Sequence, residues 1–203
     1  MRGPKEKKER ALGVKLGLKA ERCNSPKCAM VRRPQRPGMH SKSRRTLSEY
    51  GQQLAEKQKI MYSYGLKETH MRNTFKAASK KKESVSDAII NLLERRLDNV
   101  TYRMGFAPSR ISARQYVSHG HFLVNGRKVT IPSYRVKKGD VIKIRPQSAT
   151  MLIFKDLASN IKKYEAPDWI LIDKDKLEGT IKSMPHDIEM PFDINLVVDF
   201  YSK

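Results

Sequence analysis

The chain has 203 residues, of which 42 are Lys or Arg and 21 are Asp or Glu, giving a formal net charge of +21. Only 38% of the residues are hydrophobic, and no apolar run approaches the roughly 20 residues of a membrane span. This composition favours a polyanionic partner, with nucleic acid ahead of an anionic lipid surface. The basic N-terminus lacks the apolar segment of a signal peptide, so we expect a cytoplasmic protein with no membrane partner.

The positive charge is concentrated in the first part of the chain. Residues 1–82 hold 23 basic and 6 acidic side chains, whereas the last 36 residues hold 4 and 8. Glycine and proline interrupt residues 1–45, which predicts an extended basic arm. The strap RRPQRPG that starts at Arg32 is stiffened by its prolines, so it loses less entropy on binding. Such an arm is either ordered by phosphate or a disordered, solvated tail.

Cys23 and Cys28 are the only cysteines. Two thiolates cannot complete the four-ligand shell of a structural zinc site, so Glu6, Glu9 or His40 would have to supply the remainder. Two carboxylates with two thiolates would be an unusual ligand set for structural zinc, and structural disulfides are rare in the cytosol. We therefore expect a reduced, metal-free loop and no cofactor.

The next part of the chain has helical spacing. Thr46-Leu47-Ser48-Glu49 matches a capping box, which predicts that a helix begins at Thr46 and that Gly65 ends it. A second helix is predicted over 67–79, and a third opens at Ser84 with an apolar face.

The segment from Glu94 to Arg145 combines helical and strand spacing and holds twelve basic and three acidic residues. Ser109 is a good N-cap residue, and Arg110 and Arg114 lie on one face of the helix that it opens. Asn125-Gly126 predicts a type I′ hairpin turn. A cationic surface with interspersed His and Tyr suits shaped RNA, which offers phosphates, 2′-hydroxyls and unstacked bases. The alternative is a solvated basic face on an ordinary small domain.

No motif for catalysis is present, and we expect no enzymatic activity. The chain has no phosphate-cradling glycine loop or H-E-x-x-H sequence. His119 and His121 lack a nucleophile with a third orienting group, so we interpret them as RNA contacts or as polar groups that close a turn. Asp98, which has arginines on both sides in the sequence, is expected to form an intrahelical pair or a cap.

Three segments resemble one protein family, and they occur in the same order as in that family. The run SRISARQYVSHGHFLVNGRKV, residues 109–129, resembles the RNA-binding module of small-subunit ribosomal protein four. Residues 21–40 are similar to its N-terminal segment, and residues 48–65 to its first helical domain. The resemblance covers about 21–203 and departs from the family at Ile111, where a second arginine is common.

The resemblance implies an α+β fold with three parts. An extended basic arm at 1–45 precedes a mainly helical N-terminal domain at 46–93, which residues 174–203 complete. A small helix–helix–β RNA-binding domain is inserted at 94–173. For the last ten residues, the sequence pattern leaves helix and strand open.

The resemblance also implies a function. The protein would be a structural constituent of the small ribosomal subunit and a primary rRNA-binding protein that nucleates assembly of the 5′ domain and influences translational accuracy. Its implied partners are a helix junction in that rRNA, neighbouring small-subunit proteins near the mRNA entry path and, compatibly, its own mRNA. RNA-modifying enzymes share the module but need a catalytic domain that the remaining chain has no room for. Factors that rescue stalled large subunits share it but lack the Arg-Arg-Pro strap.

The residues expected to contact RNA have basic, hydrogen-bonding or aromatic side chains in the arm, the helical domain or the module. They are Arg32, Arg33, Arg36, Lys42, Arg44, Arg45, Tyr50, Lys57, Lys59, Arg72, Arg103, Ser109, Arg110, Arg114, His119, His121, Asn125, Lys128, Tyr134 and Arg135.

Arginines that a capped helix holds in one orientation should matter more for RNA affinity than lysines in a flexible segment. Replacing Arg110 and Arg114 together by Ala should cost about 2–4 kcal/mol of binding free energy, since each guanidinium can make charged hydrogen bonds. The same change at Lys80 and Lys81 removes equal charge and should cost under about 1 kcal/mol. Binding to a 5′-domain rRNA fragment at several salt concentrations measures both. Equal losses would show that bulk charge alone holds the RNA.

Overall fold

The computed structural model describes residues 5–41, 46–81, 83–155, 157–162, 164–185, 188 and 190–202. It divides into two compact units. The first, which we call the helical unit, comprises Met1–Ile89 and Glu189–Lys203, and the second, the sheet unit, comprises Ile90–Ile188. The protein is a mixture of helices and an antiparallel sheet, as the predicted fold class requires.

Helices occur along the whole of the described chain, and the strands lie between residues 122 and 181. The helices are α1 Lys5–Leu12, α2 Ala20–Cys23, α3 Ala29–Arg32, α4 Glu49–Ser63, α5 Glu68–Ala78, α6 Val85–Glu94, α7 Leu97–Arg103, α8 Arg110–Ser118, α9 Pro146–Ala149, α10 Leu157–Lys162 and α11 Ile194–Ser202, with a 3₁₀ turn at Leu152–Phe154. The strands are β1 Phe122–Val124, β2 Arg127–Lys128, β3 Val141–Ile144, β4 Ile170–Asp173 and β5 Glu178–Ile181. In the described part of the chain, no helix combines the length and apolarity needed to cross a membrane.

The prediction of an extended arm over residues 1–45 is wrong where α1, α2 and α3 form. The helix α1, KEKKERAL, consists entirely of residues with high helix propensity. After it, the buried carboxylate of Glu9 accepts the backbone N–H groups of Leu16 and Leu18 at 3.0 and 3.2 Å. Leu18 and both cysteines are buried as well, so the arm has a small core of its own.

The helix α4 begins at Glu49 rather than at the predicted Thr46. Its N-cap is Ser48, whose Oγ accepts the N–H of Gly51 at 3.2 Å. Gly65 follows the helix with a φ of 64°, the left-handed conformation expected of a terminating glycine.

The last helix, α11, packs against α4 and α5 through a lysine and a group of aromatic rings. The Nζ of Lys57 lies 4.0 Å from the centroid of the Phe200 ring and 3.2 Å from Oε2 of Glu68. The hydroxyl of Tyr201 donates to Oε1 of Glu68 at 2.8 Å, and its ring stacks on Phe75 with centroids 5.1 Å apart. Of the C-terminal residues that the sequence left open, 194–202 are helical, and this cation–π and hydrogen-bond cluster holds them in place.

The sheet unit contains five antiparallel strands in the order β2-β1-β3-β5-β4. Asn125 and Gly126, with φ of 50° and 78°, form the predicted tight turn between β1 and β2. The strand β5 pairs with β3 on one side and β4 on the other. The predicted boundary between 173 and 174 is therefore wrong, because it falls inside the β4–β5 hairpin and the unit continues to 188. The assignment of the units to functional domains stays a prediction.

The core of the sheet unit joins α7, α8 and the sheet. Leu97 and Val100 of α7, and Met104 directly after it, are fully buried against strand residues. Gly179 of β5 makes room for Met104, because a Cβ there would lie 2.6 Å from the Met104 sulfur. The single tryptophan of the chain, Trp169, is buried in the same core and so reports on this unit.

The docking of α11 should depend on pH in the alkaline range. Burial, and then the hydrogen bond to Glu68, raises the pKa of Tyr201 well above its ordinary value. In the unfolded chain the pKa of Tyr201 is about 10. Because the pKa is higher in the folded protein, this group stabilises the fold below about pH 10, and the stabilisation is lost as the pH rises further. Wild type should exceed Tyr201→Phe by about 1 kcal/mol of unfolding free energy at pH 8, and this gap should narrow above pH 10.

The gap can be measured by urea unfolding followed by helix circular dichroism. Tyr50→Phe, which removes an exposed hydroxyl, is the matched control. If the difference in unfolding free energy between wild type and Tyr201→Phe stays constant from pH 8 to pH 11, the proposed role of the Tyr201 hydroxyl in holding α11 is wrong.

Candidate nucleic-acid interface

The carboxylate of Glu94, the last residue of α6, is an anchor for two arginines. Its side chain is 0% exposed. It accepts hydrogen bonds from Nε and Nη2 of Arg103, both at 3.0 Å. The Nη2 of Arg110 lies 3.9 Å from the same Oε1 that Arg103 Nη2 contacts. One buried carboxylate therefore brings together guanidinium groups from α7 and α8.

Asp98, in the first turn of α7, is a second anchor. It accepts two hydrogen bonds from Arg96, at 3.1 and 2.8 Å, and one from Nη1 of Arg114 at 3.1 Å. It also accepts the backbone N–H of Asn99 at 2.9 Å. The partner Arg96 is the N-cap residue just outside α7, so the predicted intrahelical pair does not form with it. The contact of Asp98 with α8 is an addition that sequence reasoning missed.

Asn99 joins the two anchors. Its Nδ2 donates to Oε2 of Glu94 at 2.8 Å, while its Oδ1 accepts from Nε of Arg110 at 2.7 Å. The guanidinium of Arg110 also lies over the Tyr102 ring, 4.7 Å from its centroid. We call the whole set the carboxylate–arginine network, and its members are Glu94, Arg96, Asp98, Asn99, Arg103, Arg110 and Arg114.

The helix α8 is oriented by its own N-terminus. Ser109 Oγ accepts the N–H of Ser112 at 3.2 Å, which confirms the predicted N-cap. The hydroxyl of Ser109 is thus committed to its own helix, so an RNA contact by it stays a prediction. Capping fixes where α8 begins, and the network fixes the arginines of its first two turns.

The arginines of the network reach the surface to different extents. The exposed fraction of the side chain is 17% for Arg110, 23% for Arg103 and 40% for Arg114. Their guanidinium groups are held by hydrogen bonds, so little rotamer freedom remains for a ligand to remove. With four arginines against two carboxylates, the network is a pre-ordered cationic surface.

His119 and His121 lie at the other end of α8. Their rings contact each other with centroids 5.8 Å apart, and Nδ1 of His121 lies 3.0 Å from Ser148 Oγ. Burial, followed by the charge of His119 and then that of Arg145, lowers the pKa of His121. The lowered pKa favours the neutral ring at neutral pH, and a histidine ring can stack on an unstacked RNA base. RNA contacts by His119 and His121 stay predictions.

Other predicted contacts in the sheet unit differ in their availability. Asn125 braces its own hairpin: its Nδ2 donates to Oδ1 of Asp140 at 2.8 Å, and its Oδ1 accepts the N–H of Val141 at 2.9 Å. Lys128 and Arg135 are exposed. A further predicted contact, Tyr134, is half-buried against the core. RNA contacts by these four predicted residues stay predictions, with Asn125 the least available.

The residues of the helical unit that were predicted to contact RNA also differ in their exposure. Lys57 is a buried packing residue, since α11 covers it, and this burial argues against the predicted RNA contact. Lys59 is half-buried and pairs with Glu56 one turn away. Tyr50 and Arg72 are exposed, and RNA contacts by them stay predictions.

The arm carries a cationic cavity that sequence reasoning missed. The predicted Arg32 and Arg33 line a cavity of about 330 Å³ together with Arg10, Arg22 and Lys27. Among the residues whose side chains the structure describes, no acidic one contributes to this lining, so the cavity attracts anions. The added residues come from three separate stretches, and only the folding of the arm brings them together.

The strap of the arm is fastened to α1. The Nε of Arg36 donates to the carbonyl oxygen of Ala11 at 3.2 Å, and that of Arg10 donates to the carbonyl oxygen of Gln35 at 3.1 Å. Arg36 is otherwise exposed, as predicted for an RNA contact. The remaining predicted contacts of the arm, Lys42, Arg44 and Arg45, lie outside the described residues.

The carboxylates suggested as metal ligands have other contacts. Besides its two backbone N–H groups, Glu9 lies 3.9 Å from the Cys23 sulfur, and Glu6 pairs with Arg22 at 2.7 Å. Burial raises the pKa of the Cys23 thiol, which disfavours the thiolate. Among the described residues, no three His, Cys, Asp or Glu side chains are grouped to hold a metal ion.

Comparisons with known proteins match both parts of the chain. The family model described as the ribosomal protein S4/S9 N-terminal domain matches residues 1–94, and the S4 domain model matches residues 95–142. The small ribosomal subunit protein uS4 of Gloeobacter violaceus is 49% identical over 99% of this chain and 98% of its own length. That of Caldicellulosiruptor bescii is 47% identical over the same shares, and uS4A of Alkaliphilus metalliredigens is 47% identical over 94% and 93%.

Removing the charge of Glu94 should destabilise the sheet unit. Glu94→Gln leaves the guanidinium of Arg103 partly buried without its counter-charge, and breaking a buried pair in this way costs about 3–5 kcal/mol. Urea unfolding followed by Trp169 fluorescence measures this loss. In the control Glu178→Gln, the carboxylate is 31% exposed and pairs with Lys143 at 3.5 Å, so the loss should stay under about 1 kcal/mol. Similar losses for the two variants would contradict the anchoring role.

Proposed function

The chain belongs to the bacterial uS4 family of small ribosomal subunit proteins, and on this premise we propose that it is a structural, rRNA-binding constituent of the small subunit. It acts by binding and not by catalysis. Its place of action is the ribosome in the cytoplasm.

The carboxylate–arginine network is the observation that carries this proposal. Phosphates and sugars receive most of the hydrogen bonds that proteins make to structured nucleic acid, and arginine matches phosphate with two parallel N–H donors. A network that fixes three partly exposed arginines suits an RNA whose own shape is fixed. Flexible cations suit any polyanion equally, so they would not select one RNA fold.

The cationic cavity of the arm supports binding through a second surface. Arg10 and Arg33, which line it, are in the helical unit, whereas the network is in the sheet unit. Two binding surfaces on one chain raise each other's effective concentration when both fit the same RNA. This arrangement favours a large folded rRNA over a short RNA hairpin.

We further propose the finer role that the family resemblance suggests. The RNA is a helix junction in the 5′ domain of the small-subunit rRNA, and binding there nucleates assembly of that domain. Neighbouring small-subunit proteins near the mRNA entry path are additional partners, through which the protein influences translational accuracy. The same surfaces serve for binding its own mRNA.

The proposal predicts selective, salt-sensitive binding. A 5′-domain rRNA fragment should bind more tightly than an rRNA fragment of equal length from another domain. With six or more phosphate contacts, affinity should fall roughly 10³-fold or more between 50 and 200 mM salt. Equilibrium filter binding at several salt concentrations measures both quantities.

A second measurement distinguishes stable incorporation into the small ribosomal subunit from a general affinity for RNA. The protein should remain with small subunits through a sucrose gradient in high salt. Release at high salt, together with equal affinity for the two rRNA fragments, would contradict the proposed function.

A further inference from the structure

Asp98 places a negative charge among the arginines of the proposed RNA surface. Its side chain is only 6% exposed, and it contacts Arg114, whose side chain is 40% exposed. A carboxylate near bound phosphate normally weakens binding, because like charges repel. By charge alone, removing it should strengthen the binding of RNA.

We propose the opposite: Asp98 strengthens RNA binding, as a positioning residue that holds the guanidinium of Arg114 ready for a backbone phosphate. The inference rests on the proposed function. It identifies the ligand of Arg114 as a phosphodiester group and assigns an acidic residue a positive contribution to the binding of an anion.

The geometry supports this because Asp98 is itself fixed. It lies in the first turn of α7, where the helix dipole favours a negative charge. Two hydrogen bonds from Arg96 and one from the Asn99 N–H hold its carboxylate. A carboxylate held by three hydrogen bonds can in turn fix the rotamer of the arginine that donates to it.

Arg114 keeps binding capacity beyond this bond. A guanidinium group has five N–H donors in a planar fork, and the bond to Asp98 uses Nη1. Since two parallel donors bind a phosphate, the same group can bind both partners at once. Arg96 offsets the charge of Asp98 at 2.8 Å, so a phosphate near Arg114 meets a cluster that is still net positive.

The two opposing effects have different ranges. Repulsion between Asp98 and a phosphate is weakened by Arg96 and by salt. The gain from pre-ordering acts at the contact itself, because an unheld arginine loses rotamer freedom on binding. We therefore expect pre-ordering to exceed repulsion at physiological salt.

The decisive experiment compares two substitutions that each remove one negative charge. Asp98→Asn keeps the shape of the side chain but weakens its hold on Arg114. Asp175→Asn changes an exposed residue in the β4–β5 turn of the same unit. With a 5′-domain rRNA fragment at 150 mM salt, Asp98→Asn should weaken binding by up to about tenfold, the cost of ordering one rotamer-rich side chain on binding, and Asp175→Asn should leave it equal or slightly tighter. If Asp98→Asn binds as tightly as Asp175→Asn, the inference is wrong.

The same substitution in a chain that lacks the Arg114 side chain distinguishes positioning of Arg114 from a general effect on stability. In a chain that carries Arg114→Ala, adding Asp98→Asn should no longer weaken binding, because the side chain it positions is gone. A loss that persists in this background would overturn the inference, since Asp98 would then act through the fold.

A third variant tests the inference without disturbing Asp98. Trp169 fluorescence establishes that each variant is folded under the binding conditions. Should Asp98→Asn unfold, Arg114→Lys serves instead, because it keeps the charge but lacks the planar fork. It should show a comparable loss, and full affinity would overturn the inference. Failure of the wild type to prefer 5′-domain rRNA is a separate result that contradicts the proposed function itself.

Discussion

The buried carboxylate of Glu94 is the constraint on which the sheet unit depends. A fully buried charge is tolerated only with counter-charges and hydrogen bonds around it. Arg103 and Asn99 supply them directly, and Arg110 completes the surroundings. Because these partners come from α7 and α8, satisfying one charge also fixes how the ends of three helices meet. The same contacts that stabilise the fold set the positions of the arginines proposed to bind RNA.

A related arrangement recurs along the chain. Four acidic residues are buried in the described part: Glu9, Glu94, Asp98 and Asp140. Each accepts hydrogen bonds from backbone N–H groups, side-chain amides or guanidinium groups. In a chain with a net charge of +21, the buried carboxylates thus fix the positions of the donor groups around them. Two of them, Glu94 and Asp98, also hold arginine side chains close together at the surface, where their mutual repulsion would otherwise spread them.

Local signals in the sequence predicted local structure well. The N-cap at Ser109 and the turn at Asn125-Gly126 were identified correctly because each depends on backbone chemistry within a few residues. The pairing of β5 with β3 could not be found in this way, since the two strands lie more than thirty residues apart in the sequence. The role of Lys57 was equally hidden, because α11 covers it from the other end of the chain. The motif at Arg110 and Arg114 located the surface, whereas the acids that hold it carry no motif.

We expect the arginines of the network to be ordered before RNA binds. Nitrogen-15 relaxation of the Nε–H groups of Arg103, Arg110 and Arg114 in the free protein tests it most directly. We expect order parameters of about 0.85, as for rigid backbone, with little change when a 5′-domain rRNA fragment is added. Values below about 0.6 in the free protein, rising on addition of RNA, would show that the RNA orders these side chains and that the network does not.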